Sequence, residues 1–294
     1  MSVDDKPLTP AFSSQAGSGS ARADQPGRSR WIWPFPPVPA RAARFVDLAS
    51  GWATPLVSSG WWWILGAVVA GIVPLIISYG LRVPGHQVAE AALLFPLFLA
   101  SVRQALPGKA LLILVTAFVA HSAGVILLSE RDATRIAPLL PGAEWFWTES
   151  LAWIESGHDS EYEVARWLPK HMLLFCAVVV LAYCSLGLTV LVRGFYEVDL
   201  MNYYVGRLIA QSSHTHTALI YGWHVWSLVR GIGCSLVIYE IVSLSFSALV
   251  GADRGRERGR RLRLCAGVGL LVVDGVLKFL LLDTVQARLQ ANLL

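Results

Sequence analysis

A short arginine-rich segment lies between two long apolar runs near the carboxyl end of the chain. A run of about twenty apolar residues crosses a bilayer as a helix, and short loops rich in Lys and Arg stay on the cytoplasmic side. The segment therefore predicts a polytopic membrane protein, and it assigns residues 251–263 to the cytoplasmic face. Topological anchoring is the favoured role of its arginines, and binding of anionic lipid headgroups is the alternative. These arginines are Arg254, Arg256, Arg258, Arg260, Arg261 and Arg263.

The composition agrees with a membrane protein. Of the 294 residues, 55% are hydrophobic and only 15% are charged, whereas a soluble domain has about 25% charged residues. The formal net charge of +4 comes mostly from the arginine-rich segment and the N-terminus, so the sequence predicts no nucleic-acid partner. The four cysteines lie in or beside the apolar runs, which indicates small core residues and no disulfide framework.

The apolar runs predict the membrane-spanning segments. Three spans are expected within residues 61–128, one over residues 168–192, and the last over residues 264–285. Residues 217–250 are a longer apolar stretch, roughly 50 Å as a single helix against a hydrocarbon core of about 30 Å. This stretch is expected to form a hairpin.

The segments between the spans are more polar. Residues 1–40 are rich in Pro, Ser and Gly, which predicts a disordered cytoplasmic N-terminus. Residues 41–60 are expected to form an interfacial amphipathic segment. Residues 129–167 are an acidic, aromatic loop expected outside the cytoplasm. Residues 193–215 form an amphipathic segment expected on the cytoplasmic surface.

The placement of the basic residues restricts the number of crossings. The N-terminal arginines and the arginine-rich segment both belong on the cytoplasmic side, so an even number of crossings must separate them. If each apolar run before the arginine-rich segment crossed once, the count would be five, which is odd. Either residues 217–250 turn at Arg230-Gly231 and cross twice, or residues 88–102, which contain Glu90 and Pro96, do not cross. The prediction is an all-α, polytopic transmembrane helix bundle with about five to seven crossings, seven favoured, and one irregular or re-entrant segment.

The familiar catalytic motifs are missing from the sequence. It contains no GxxxxGK[ST] phosphate loop, no HExxH or CxxC zinc motif, and no GxSxG nucleophile elbow. No catalytic residues are therefore predicted, and the chain is expected not to be an enzyme of a familiar type.

Ionisable residues inside the apolar runs are the first candidate site. A charge at the centre of a span costs about 2.5–3.5 kcal/mol on insertion scales. Asp274 and Lys278 are spaced to pair along one helix, whereas Glu240 has no local partner and is expected to need either protonation or a cation such as Arg230 or Lys278. The cluster is expected to serve transport or packing. It comprises Arg230, Glu240, Asp274, Lys278 and His224.

A metal or haem site is the alternative interpretation. His214 and His216 offer an HxH pair, with His224 eight residues further on. Haem would need two facing histidines, for which His121 and His171 are further candidates. A polar segment that leads into a span explains His214 and His216 without a ligand, so the sequence predicts no cofactor.

Together these features predict a multi-pass protein of a bacterial inner membrane with a cytoplasmic N-terminus. Its expected role is that of a permease-like or accessory subunit that contacts the lipid bilayer, anionic headgroups and other membrane subunits. The alternative is a metal- or haem-dependent membrane enzyme or redox protein that uses His214, His216 and His224.

Overall fold

A computed structural model describes residues 40–157, 164–250 and 259–293. These residues form ten α-helices and a 3-10 turn at Ala137–Leu139, and no strand occurs within the described ranges, which confirms the predicted all-α bundle. The helices are α1 (Ala40–Ser58), α2 (Trp62–Leu81), α3 (His86–Arg103), α4 (Pro107–Ile136), α5 (Ala143–Ser156), α6 (Val164–Cys184), α7 (Leu188–Gln211), α8 (Thr215–Gly222), α9 (Val225–Val250) and α10 (Arg260–Leu293).

Helices α2, α4 and α7 run parallel to one another. A Cβ atom at Gly71 of α2 would lie 2.3 Å from the carbonyl oxygen of Ala117 on α4, and one at Gly124 would lie 2.8 Å from the Leu75 side chain. Likewise Gly194 of α7 lies against Phe118 of α4, and Gly206, further along α7, lies against Ser129, further along α4. The parallel direction follows because contacts advance along both helices together.

Helices α3, α6 and α9 run in the opposite direction. Turns of three or four residues join α3 to α2 and α4, and α6 to α7, so consecutive helices must reverse. Helix α9 is antiparallel to α10, because Arg230 contacts Asp274 whereas Glu240, further along α9, contacts the earlier Arg263. From α2 to α10, seven long helices therefore alternate in direction, with α5 and α8 as short connections.

Apolar side chains form two separate core clusters, one toward each end of the bundle. The first includes Leu94 to Val102 of α3 and Ala110 to Ala117 of α4, and the second includes Val125 to Ile136 of α4 and Leu200 to Leu208 of α7. On α7 the first cluster ends at Phe195. A layer that belongs to neither cluster therefore crosses α4 and α7 between them.

Four described helices are long and apolar enough to cross a membrane, which fits a membrane-embedded protein. They are α2, α4 with the 3-10 turn that follows it, α9 and α10. The outward face of α10 is apolar, with Val268, Val272, Val276 and Phe279 exposed, as contact with lipid requires. Helices α3 and α7 carry buried polar residues, which lower their hydropathy.

Two segments differ in structure from their predicted forms. Helix α9 continues through Arg230 and Gly231, so the turn expected there is absent, and the non-helical residues of this stretch are Trp223 and His224, between α8 and α9. Helix α7 packs in the bundle interior along α4 instead of lying on a surface. The number of crossings itself remains a prediction.

The remaining predicted segments have these counterparts. Helix α1 covers most of residues 41–60 and exposes Phe45, Leu48 and Trp52, while α5 lies within residues 129–167. Residues 1–39, which hold nearly all of the predicted disordered N-terminus, are outside the described ranges, and so are residues 158–163 and 251–258.

Substitution of Gly71 tests the close approach of α2 and α4. We expect Gly71→Ala to lower the heat-unfolding midpoint of the purified protein, because the added methyl would overlap Ala117 and overpacking costs about 1–3 kcal/mol. Gly80 on the same helix has no atom within 4 Å of a built Cβ, so Gly80→Ala should leave the midpoint unchanged or slightly raised. Equal effects of the two variants would contradict the packing.

Cysteine labelling tests the seven alternating helices as seven crossings. In a background with the four native cysteines replaced, a membrane-impermeant maleimide added to intact cells should label Ser156→Cys at the end of α5. It should label Ser59→Cys, in the α1–α2 turn, only after the cells are opened. Labelling of both residues from the same side would show that the number of crossings between them is even, against the odd number expected.

A buried histidine and carboxylate cluster between α3, α4 and α7

The α2–α3 turn places two polar residues at the beginning of α3. Its last residue, Gly85, has a φ of +100°, a left-handed conformation that side-chain-bearing residues rarely adopt. Helix α3 starts at the next residue, so His86 and Gln87 lie in its first turn. Glu90 is four residues after His86 and lies on the same helical face.

His121 of α4 lies between two carboxylates from different helices. Its Nδ1 is 2.9 Å from Oε1 of Glu90 on α3, and its Nε2 is 2.9 Å from Oδ1 of Asp199 on α7. All three residues have a relative exposure of 0%. An ionised carboxylate only accepts hydrogen bonds, so each contact is made by a nitrogen of His121 that donates. Through its two nitrogens, the His121 ring links α3 to α7.

Asp199 is the acceptor on which the cluster converges. Besides His121, its Oδ1 is 3.3 Å from Nε2 of His86, and its Oδ2 accepts a hydrogen bond of 2.6 Å from the amide of Gln87. A buried carboxylate costs several kcal/mol unless it is paired and hydrogen-bonded. These contacts from two helices offset that cost and fix the level of α7 beside α3 and α4.

Two acceptor or donor atoms of the cluster have no hydrogen-bond partner among the described residues. They are Nδ1 of His86 and Oε2 of Glu90, and both are buried. Leaving a buried polar atom unpaired costs about 1–3 kcal/mol. The cluster is therefore incomplete as a purely structural network, although its core hydrogen bonds are well formed.

The cluster also has the donor atoms of a cation site. One ligand atom from each of His86, Glu90 and His121 lies within 4.8 Å of the other two. Imidazole nitrogen and carboxylate oxygen are both common metal ligands in proteins. This layer lies between the two apolar core clusters, and all three side chains are buried.

A second hydrogen-bonded chain supports the cluster from its α7 side. Asn202, one turn after Asp199, donates a bond of 2.8 Å to Ser122, the neighbour of His121, and accepts one of 2.9 Å from the indole of Trp223. The ring of Phe195 also meets His121 edge-on at 5.1 Å. These contacts fix α4 and α7 at the level of the site.

The carboxylates of the predicted intramembrane cluster lie in two separate ion-paired groups between α9 and α10. In the first, the Arg230 guanidinium donates to both oxygens of Asp274, at 2.9 and 3.1 Å. Lys278, the partner expected for Asp274, lies one turn further along α10. In the second group, Glu240 pairs with Arg260 at 3.2 Å and with Arg263, in place of the expected Arg230 or Lys278.

The arginine-rich segment is therefore partly a structural element. Arg260 and Arg263 belong to the first turn of α10 and neutralise Glu240, which has a relative exposure of 0%. Arg261 is exposed on the same turn. Arg254, Arg256 and Arg258 lie outside the described residues, so anchoring and lipid binding by them stay predictions.

The structure separates the three histidines of the predicted metal site. His214 and His216 are exposed at the beginning of α8, whereas His224 lies after that helix, stacked on Trp226 at 4.5 Å and near Tyr204. Within the described ranges, the group of residues with metal-ligand geometry is the one in α3 and α4.

Sequence reasoning did not identify His86, Gln87 and Glu90 as site residues, and it did not place Asp199 with them. The one local signal was the i, i+4 spacing of His86 and Glu90, which places an imidazole and a carboxylate on one helical face.

Comparisons with protein-family models, curated proteins and solved structures find no match for this chain. The class that the fold and the site define is a polytopic helical bundle with a buried His–carboxylate cluster.

A double-mutant cycle tests whether Arg230 and Asp274 act as a packing pair. We expect Arg230→Met or Asp274→Leu alone to destabilise the purified protein by about 2–3 kcal/mol, somewhat less than a fully buried pair, because the Arg230 side chain is 33% exposed. The double variant should recover part of that loss. Additive losses, measured by chemical unfolding in detergent, would contradict a direct pair.

Proposed function

We propose that this chain is a permease-like membrane protein that binds and moves a small cation through the His86, Glu90, His121 and Asp199 cluster. The observation that carries the proposal is the placement of His121 between two fully buried carboxylates from different helices. Ionisable residues in the interior of a membrane bundle mark ion pathways, because their burial is costly without such a role.

The depth of the cluster supports a transport site. Ion and substrate sites of secondary transporters lie near the bilayer midplane, next to short or interrupted helices. Here the cluster lies between the two apolar core clusters, and it uses α3, which is only 18 residues long. Helix α3 contains residues 88–102. This is one of the two segments of which one, by the count of crossings, must differ from an ordinary single span.

The distribution of the cluster over three helices supports movement of the ion. His86 and Glu90 come from α3, whereas His121 and Asp199 come from α4 and α7, which pack on each other through Gly206. A small displacement of α3 relative to the α4–α7 pair would change the cation's coordination. Such helix shifts of about 1–2 Å are a common switching motion.

The proposal includes the orientation in a bacterial inner membrane. The end of the bundle at which α9 finishes and α10 begins is proposed to face the cytoplasm. Arg103 and Lys109 flank the α3–α4 turn at this same end, and Arg193 lies near the start of α7. This concentration of cations agrees with the positive-inside rule.

A flux assay with matched variants tests the proposed function. Proteoliposomes that contain the full chain should take up at least one cation from a panel of protons, sodium, potassium, manganese and zinc faster than protein-free vesicles. Glu90→Gln and Asp199→Asn should lower that rate by about tenfold or more, a barrier increase of about 1.4 kcal/mol, because each removes a buried negative charge from the cluster.

Glu197 supplies the control for this assay. It lies on α7 two residues before Asp199, but it is exposed and paired with Arg193. Glu197→Gln should transport at the wild-type rate. Uptake equal to protein-free vesicles for every cation of the panel would overturn the proposed function, and so would equal rates for Asp199→Asn and the wild type.

A further inference from the structure

We propose that the cation held by the cluster is a divalent transition-metal ion, with His86, Glu90 and His121 as its protein ligands. Asp199 and Gln87 are positioning residues that hold these ligands in place. The inference deepens the proposed function, because it names the chemical class of the cation, and it rests on that function only for the idea that the ion is transported.

The donor set selects the class of metal. Two imidazole nitrogens and a carboxylate suit ions of intermediate softness such as zinc, cobalt and iron, whereas calcium and magnesium prefer oxygen ligands. The three ligand atoms lie within 4.8 Å of one another, a separation that two bonds of about 2.0–2.2 Å to one ion can bridge with small adjustments. Three protein ligands leave further coordination positions open.

The hydrogen bonds of Asp199 select which imidazole nitrogen binds the metal. Nε2 of His86 and Nε2 of His121 both contact its Oδ1. An imidazole that donates from Nε2 to a carboxylate presents the lone pair of Nδ1 to a metal, and such outer carboxylates fix the ring orientation of metal-binding histidines. Nδ1 of His121 is beside Glu90, and Nδ1 of His86 is buried without a partner among the described residues.

The charges of the cluster match a dication. Metal binding at Nδ1 of His121 releases the proton that this atom otherwise donates to Glu90. Both imidazoles are then neutral, and Glu90 and Asp199 contribute two negative charges, which one divalent ion neutralises. The described hydrogen bonds to these two carboxylates come from imidazoles and the Gln87 amide. A bound metal ion would also give a partner to the otherwise unpaired Oε2 of Glu90. Neutral, fully coordinated groups are those that a buried layer accommodates at low cost.

Cobalt binding to the full chain tests the inference. The protein is purified in detergent with an affinity tag that contains no histidine, stripped with a chelator and titrated with Co²⁺. We expect about one Co²⁺ per chain, with visible absorption bands typical of nitrogen and oxygen ligation. Zn²⁺ should displace it, and an equal excess of Mg²⁺ or Ca²⁺ should not.

Variants assign the signal to the cluster. His121→Ala and Glu90→Gln should abolish the absorption bands, and Asp199→Asn should weaken Co²⁺ binding about 10–100-fold, the usual effect of an outer-sphere change. His214→Gln combined with His216→Gln should leave binding unchanged, because both residues are exposed on α8.

Circular dichroism and gel filtration establish that each variant is folded. Because Asp199→Asn retains the ligands, its altered affinity keeps the inference falsifiable if His121→Ala does not fold.

The outcomes separate the inference from the proposed function. Absence of Co²⁺ bands in the folded wild type, or their loss only in the His214 and His216 variant, would overturn the metal site. Flux of protons or sodium without Co²⁺ binding would overturn the inference and leave the permease proposal standing. Co²⁺ binding without flux of any cation would support a resident metal centre and overturn transport.

Discussion

The three contacts to Asp199 join the central helices of the bundle. A carboxylate with a relative exposure of 0% is stable only where hydrogen bonds replace its lost water. Its donors are His86 and Gln87 of α3 and His121 of α4, so α3, α4 and α7 must be in register for the carboxylate to be satisfied. The position of each central helix thus depends on the other two.

Apolar packing alone would not set this register. Helices in a membrane gain little from burying apolar surface against one another, because lipid is equally apolar, and close backbone approach and polar contacts provide specificity instead. The bundle uses both. Gly71 and Gly206 bring α2 and α7 against α4, and the polar layer between the two apolar core clusters sets how far each helix is displaced along its axis.

The sequence was sufficient for the class of fold and insufficient for the site. The lengths of apolar runs predict each helix separately. Helices α3 and α7 carry polar residues of the site, so the sequence alone leaves the crossing of α3 open and indicates that α7 lies on a surface. Glu90 and Asp199 meet His121 across 31 and 78 residues, a separation that no helical period encodes. The same holds for Glu240, whose partners Arg260 and Arg263 lie 20 and 23 residues away in the sequence.

The bundle contains two kinds of buried charge with different capacities for function. The guanidinium of Arg230 occupies both oxygens of Asp274, and because Arg stays protonated in proteins, this pair is complete and suits the fixed contact of α9 with α10. The cluster of α3, α4 and α7 uses imidazoles, each with a second nitrogen that can donate, accept or bind a metal. One such nitrogen and one carboxylate oxygen remain unpaired among the described residues. Unused ligand capacity is what the binding of a cation requires, so function is expected where pairing is incomplete and stability where it is complete.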